Sequence, residues 1–320
     1  MKSQTDLLTT SQAASILEVH ESSVKRWANE GKLNPVKTEG GHRRLSLDDL
    51  IDFAKTERPE STLIKFSPFE KELALAALAA RERNFFQPFA DLVVRICDTQ
   101  HPKYLVAALK YLESAFEIPL LRSFDLGVTQ AMRKVGNEWS SGLRTIGQEH
   151  RFTQKILDAV YGLRNDQVLL NPFETKEMDI PTPPKAVVGC SESNFHEVGA
   201  LFVRMILETA GWDVTYLGAN VPFTEYAELQ KELNAKILAI SFSSPSTNAD
   251  ARRCLSILAG DYRESSPYYV ALGGNGIEPN SINLREWPFL GLKMEKDAEA
   301  FSAWSKTKAK KFLQVKENAI

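Results

Sequence analysis

The chain has 320 residues, 43% hydrophobic and 25% charged, with a formal net charge of −2. That composition is globular, and the length suits two or three domains rather than a disordered or fibrous chain. No apolar run approaches the ~20 residues that span a bilayer, the start MKSQTDLLTT lacks the apolar stretch of a secretion signal, and the three scattered cysteines form no CxxC pair. A cytoplasmic protein without a disulfide framework or a cysteine-held zinc is expected, with no membrane partner.

Two stretches divide the sequence. Residues 56–62, TERPEST, are polar and contain Pro59, and residues 171–184 contain four prolines. Both read as linkers, because proline blocks regular backbone pairing and little in them can pack. The expected domains are 1–60, 61–175 and 180–320. There is no internal repeat.

In the first block, Thr9 and Gln12 have capping-box spacing ahead of Ala13, Ala14, Ile16 and Leu17. A turn around His20 leads to a second helix from Glu21 to about Glu30, stopped at Gly31. Val24 and Trp27 share its buried face, which leaves Ser22, Ser23, Lys25, Arg26 and Asn29 outward. Gly40-Gly41 then marks a hairpin, and Ser46 opens a third helix, DDLIDFAK. Two helices, a tight turn and a hairpin describe a winged helix-turn-helix. Between Ser22 and Arg44 there are six Lys/Arg against two Glu, so this region is basic within a nearly neutral chain. Lys and Arg there would set affinity and salt dependence, and base contacts would set specificity. A solvated basic face that meets only protein is the plainer alternative.

The stretch closely resembles the MerR-type DNA-binding head, through Thr10, Ala14, Leu17, Val19, Val24, Arg26, Trp27, Gly31, Leu33 and the run Gly40-Gly41-His42-Arg43-Arg44. The resemblance implies a double-stranded DNA operator as partner. It would be met by Ser23, Lys25 and Arg26 in the major groove and by His42, Arg43 and Arg44 at the wing.

The second block, about 63–170, is rich in Ala, Leu, Glu and Arg, all strong helix formers. Four runs, beginning PFEKEL, HPKYLV, PLLRSF and IGQEHR, predict a four-helix bundle. One local feature stands out: Trp139 ends one helix, and Glu149-His150 follows ten residues later near the start of the next.

The third block alternates strand and helix from KAVVGC to YYVALGG, the pattern of an α/β doubly wound, flavodoxin-like parallel sheet. Ligands bind such sheets beyond the carboxyl ends of the strands. The loops there are SESNFHEVG, SFSSPST and GGNGIEP. GGNG follows a late strand, which disfavours a dinucleotide fingerprint, and there is no Walker A sequence. A lone histidine such as His196 is more often structural than a ligand.

Taken together, Asn194, His196 and Gly199, then Ser241 and Ser243, then Gly273-Gly274 resemble the cobalamin-binding D-x-H-x-x-G…S-x-L…G-G pattern. The resemblance implies His196 as lower axial ligand of cobalt, serines that hydrogen-bond the cofactor's tail, and glycines that leave room for it. Asn194 stands where many members have Asp, whose carboxylate would accept the second imidazole proton. An amide oxygen there is expected to accept the same bond more weakly.

A MerR-type head, a helical bundle and a cobalamin domain, in that order, resemble the CarA/CarH/LitR group of transcriptional regulators. Trp139, Glu149 and His150 match that group's W-x9-E-H motif. The resemblance implies that these residues cap adenosylcobalamin, that the cofactor controls a dimer or tetramer, and that the chain is a repressor without catalytic activity. Photoreceptor members carry a histidine directly after the tryptophan. Here it is Ser140, a poor cobalt ligand, so a stable bis-histidine photoproduct is not expected at this position. A corrinoid-carrying methyltransferase module, and a regulator of this build that acts without cobalamin, remain alternatives.

Overall fold

The computed structural model describes residues 7–37, 40–169, 182–278, 281–283, 285–295 and 297–317. It divides into two compact units between Ala159 and Val160. Among the described residues, no helix is long and apolar enough to cross a membrane.

The first unit opens with β1 (Leu7–Leu8) and α1 (Thr10–Ile16). The capping box forms as its spacing predicts: the Gln12 amide donates to the Thr9 hydroxyl at 3.0 Å, and the Thr9 amide to the Gln12 side chain at 2.7 Å. Glu18 turns the chain with φ of 53°, and His20 caps α2 (Glu21–Asn29). Strands β2 (Val36–Lys37) and β3 (Arg43–Ser46) form the wing, and β3 is the centre of a small antiparallel sheet ordered β1-β3-β2. The third helix, α3, runs from Leu47 to Glu57.

The 56–62 stretch is not a free spacer. Thr56 and Glu57 complete α3, Ser61 is buried, and a 3-10 turn at Leu63–Phe66 buries Leu63 and Phe66. Its polarity misled because a single apolar pair just beyond it is enough to seat the segment. The 171–184 stretch lies outside the described residues as far as Ile180 and Pro181.

The bundle also differs in its helix count. The first predicted run is two helices, α4 (Glu70–Arg83) and α5 (Gln87–Thr99), parted by Asn84 in the left-handed region at φ 50°. Asn enters that region more readily than most residues and so can end a helix, and Pro88 in the first turn of α5 marks where the next one starts. α6 (Lys103–Phe116) follows. Next, α7 (Leu120–Ser123), a π turn (Phe124–Val128) and α8 (Thr129–Ser140) run on from one another. α9 spans Ile146–Leu169. The buried alanines of α4, from Ala74 to Ala80, keep its surface small, and α5 packs against this helix. Gly127 lies against Phe89, so close that a Cβ would sit 2.4 Å from the ring.

The second unit is a five-stranded sheet, all parallel, in the order β5-β4-β6-β7-β8. The strands are β4 (Lys185–Cys190), β5 (Asp213–Tyr216), β6 (Ile237–Ser241), β7 (Tyr269–Gly273) and β8 (Gly291–Met294). α10 (Val198–Thr209) packs with α13 (Ala298–Glu317), and α11 (Phe223–Leu233) with α12 (Asn248–Gly260), giving a layer on each face. Val187, Leu238, Ile240, Val270 and Leu272 belong to one core with Phe223, Tyr226 and Leu255. Burial on both faces explains why the strands read as continuous apolar runs. The chain reverses strand order at β4, with β5 on one side and β6 on the other, and the carboxyl end of that switch point is where such sheets form a crevice.

Candidate functional site

The head presents one face of α2. Val24 is buried and the Trp27 ring meets Phe53 at 4.9 Å, which turns Ser22, Lys25, Arg26 and Asn29 to solvent. Ser23 is half-buried. Lys25 pairs with Glu21 at 3.1 Å and Arg26 with Glu30 at 3.9 Å. A hydrogen bond from Thr10, with Lys25 next in effect, holds the Glu21 carboxyl below the ordinary glutamate value. Exposed i,i+4 pairs of this kind are weak, so both cations can exchange their carboxylates for phosphates at little cost. His42 is exposed at the wing, and Arg43 and Arg44 are half-buried on β3. Ser22, Lys25, Arg26 and Asn29 are outward as the helical spacing predicts, and Ser23 is more buried than predicted.

On the bundle, Trp139 is 48% exposed, followed by Leu143 at 79% and Ile146 at 58%. Glu149 accepts a hydrogen bond from the Thr153 hydroxyl at 2.7 Å and lies 3.6 Å from the His150 Nε2. The Ser140 hydroxyl donates to its own helix, at the Asn137 carbonyl. Arg144, which the sequence does not single out, fixes the α8–α9 connection: it forks onto both oxygens of Asp98 at 2.9 and 2.8 Å and bonds Glu138 at 2.5 Å. The Asp98 bonds, ahead of Glu138, push its guanidinium pKa up, so it is a permanent cation there. No local spacing could have revealed it, since Asp98 is 46 residues away.

In the second unit, the loop after β4 carries His196. Its imidazole is exposed and hydrogen-bonds none of the described residues. The backbone beneath it is rigidly held. Asn194, 0% exposed, accepts the His196 amide at 3.0 Å and donates to the Ser241 carbonyl at 2.9 Å. The Asn194 carbonyl accepts the Asn220 amide, and the Cys190 thiol contacts the His196 carbonyl at 3.7 Å. The expectation that Asn194 accepts the second imidazole proton is not met. Its amide braces the loop against β6, and a carboxylate could not make the bond to Ser241, because it has no proton to give.

Ser241 ends β6 at the same edge of the sheet and is buried. A Cβ on Gly199 would meet only the Ser241 hydroxyl, at 3.4 Å, and one on Gly218 only a Glu197 oxygen, also at 3.4 Å. Each glycine thus faces one polar side-chain oxygen and no backbone within 4 Å. The Tyr216 hydroxyl donates to Glu197 at 3.1 Å, and burial, with Glu197 next, pushes its pKa up. Ser243 is half-buried in the next loop.

The glycine pair also answers to the protein's own backbone. Gly274 has φ of 105°, and a Cβ there would lie 2.2 Å from the Phe242 carbonyl oxygen; on Gly273 it would lie 3.0 Å from the Glu295 carbonyl. The protein's own backbone requires these glycines, whatever else they accommodate.

The crevice residues fit a corrinoid with a nitrogen donor. An exposed imidazole with no partner among the described residues stands in the loop at the strand ends, in a segment that also carries Gly199, whose nearest neighbour is the Ser241 hydroxyl. Among the described residues there is no cluster of three or more His, Cys, Asp or Glu able to hold a metal unaided, so His196 could supply one ligand only.

Comparison with known proteins places these features. Residues 7–58 match the family model described as "Helix-turn-helix domain", and residues 184–285 the one described as "B12 binding domain". The trimethylamine corrinoid protein 1 of Methanosarcina acetivorans is 27% identical over 116 residues, 36% of this chain and 50% of that protein. The HTH-type transcriptional repressor CarA of Myxococcus xanthus is 29% identical over 96 residues, 30% of this chain and 32% of that protein. The chain thus spans half or less of the length of these relatives. The solved structure of the Methanosarcina barkeri monomethylamine corrinoid protein covers 70% of this chain and 98% of its own, with a TM-score of 0.52 and 16% identity, a likeness of fold.

Proposed function

We propose that this chain, with a helix-turn-helix domain at its start and a B12-binding domain after its bundle, is a cobalamin-responsive DNA-binding transcriptional regulator. The observation that carries the reading is the exposed His196 imidazole, without a partner among the described residues, at the switch point of the sheet, in a chain that also displays Lys25 and Arg26 on the outward face of its helix-turn-helix. His196 would hold cobalt from below, and Gly199, Gly218 and Ser241 would accept the cofactor. The resemblance assigns cofactor contact to Trp139, Glu149 and His150 as well. Adenosylcobalamin, when bound, supplies a light-sensitive upper ligand and a large rigid surface.

In this reading the protein is a cytoplasmic repressor and no catalysis is involved. A ligand that binds one assembly state better shifts the equilibrium toward it, and joined heads bind DNA more tightly than one. With adenosylcobalamin bound, the chain would favour a dimer or tetramer on its operator, and illumination would disperse that assembly.

A corrinoid-carrying methyltransferase module is the second reading, favoured by the likeness to the methylamine corrinoid proteins. The helix-turn-helix domain, with its basic stretch from Ser22 to Arg44, is what that reading leaves unexplained. The test is dark incubation with adenosylcobalamin, desalting, and absorption, followed by sizing and a DNA shift with and without illumination. Wild type is expected to keep the red chromophore, and His196→Ala to lose it while remaining folded. A colourless wild type would leave the cobalamin-free regulator. A coloured one that never shifts DNA but accepts a methyl group would favour the carrier.

A further inference from the structure

The bundle holds the turn of the helix-turn-helix. α1 ends at Ile16, and a helix leaves its last carbonyls without partners inside itself. The Ile16 carbonyl is met from outside: it accepts the Tyr111 hydroxyl of α6 at 2.7 Å. Tyr111 is 1% exposed, and its ring meets Phe116 edge-on at 5.7 Å. Burial raises its pKa, so the hydroxyl stays a donor. Ser114, three residues on and so on the same face of α6, donates to the Glu18 carboxylate at 3.0 Å. Glu18 is the residue that turns left-handed between the two helices. α3 is tied as well, by Lys71 to Asp48 at 2.9 Å and Lys55 to Glu70 at 3.7 Å. Throughout, Ser22, Lys25, Arg26 and Asn29 remain exposed, so the grip leaves the recognition face open.

We propose that α6 positions the DNA-reading head: by holding the α1–α2 turn through Tyr111 and Ser114, the bundle fixes the orientation of α2, and the state of the bundle is passed directly to DNA affinity. Head and bundle then move as one body instead of as a head on a tether. The passing of a cofactor signal rests on the function proposed above; the grip itself does not. Tyr111 acts through the Ile16 backbone and touches no DNA.

The experiment compares full-length wild type with Tyr111→Phe, and with Glu18→Ala/Ser114→Ala, which cuts only exposed groups, in case the first variant folds poorly. Native-state hydrogen exchange is read at the amides of Leu17, Val19, Ser23 and Val24. The DNA probe is a fragment selected by the wild type from a random library, with affinities measured with and without adenosylcobalamin in the dark. In Tyr111→Phe, exchange at those amides should be at least tenfold faster while the α5 amides are unchanged. The ratio of the two DNA affinities should fall at least fivefold toward one, with the salt slope of binding unaltered because the phosphate contacts are the same. The double variant should move both readouts in the same direction, by twofold or more. Unchanged exchange in both variants would overturn the grip. Faster exchange with the full ratio retained would overturn the positioning role. A wild type that holds the chromophore but shows a ratio of one would overturn the coupling alone. One that holds no chromophore would overturn the cofactor reading, and exchange then decides the grip.

Discussion

Restoring the acidic residue of the cobalamin pattern, Asn194→Asp, should destabilise this protein at neutral pH. Asn194 is fully buried and spends its NH2 group on the Ser241 carbonyl at 2.9 Å and its oxygen on the His196 amide at 3.0 Å. A neutral aspartic acid reproduces both bonds, since its hydroxyl can donate to Ser241. An ionised one sets a carboxylate oxygen against a carbonyl oxygen with no solvent between them. Burial and this repulsion both favour the neutral form, and a proton held roughly a hundredfold more tightly than at the ordinary aspartate pKa of ~3.9 is a moderate expectation for so buried a group. The sign follows from linkage. Between the unfolded and folded pKa values the native state holds the proton and the unfolded state does not, so stability falls as pH rises through that window. The deficit should grow from near zero around pH ~4 to about 2–3 kcal/mol at pH ~7, because each tenfold gain in proton affinity is worth about 1.36 kcal/mol. Urea unfolding of the full chain from mildly acidic to neutral pH, taken as wild type minus variant, cancels the other titrating groups. A difference flat with pH, or a variant more stable at neutral pH, would refute the reasoning. The latter would show the carboxylate turned toward the imidazole as in the resembled family.

Gly274→Ala places a Cβ at φ 105°, 2.2 Å from the Phe242 carbonyl oxygen. Both groups are backbone and neither can swing aside, so a loss of about 2–4 kcal/mol is expected, read as a lower thermal midpoint without any cofactor present. Lys25→Ala should leave stability within about 0.5 kcal/mol, because its pair with Glu21 is exposed. If Lys25 meets a phosphate, the same variant weakens binding on all DNA sequences alike and lowers the salt slope by ~1. An unchanged slope would remove Lys25 from the interface.

Much of this protein is legible in local sequence. The Thr9–Gln12 cap, the outward face of α2 and the strand–helix alternation of the second unit each depend on residues within a few positions of one another, where backbone geometry alone sets the period. The loop of His196 could be placed at a strand end for the same reason. What local pattern cannot carry is the identity of a partner brought near by topology. The brace from Asn194 reaches Ser241 across 47 residues, and the Tyr111 hydroxyl reaches Ile16 across 95. Hence Asn194 reads in sequence as a weakened acid and proves to be a loop brace, Gly274 reads as room for a ligand and is also needed to clear the Phe242 backbone, and TERPEST reads as a tether although the head is fastened to the bundle. Spacing along the chain decided which elements form and which residue types reach the crevice and the recognition face. Only the packing of α6 on the helix-turn-helix turn and of β4 beside β6 decided what each buried polar group must satisfy, because a hydrogen bond forms with whatever the fold places within about 3 Å.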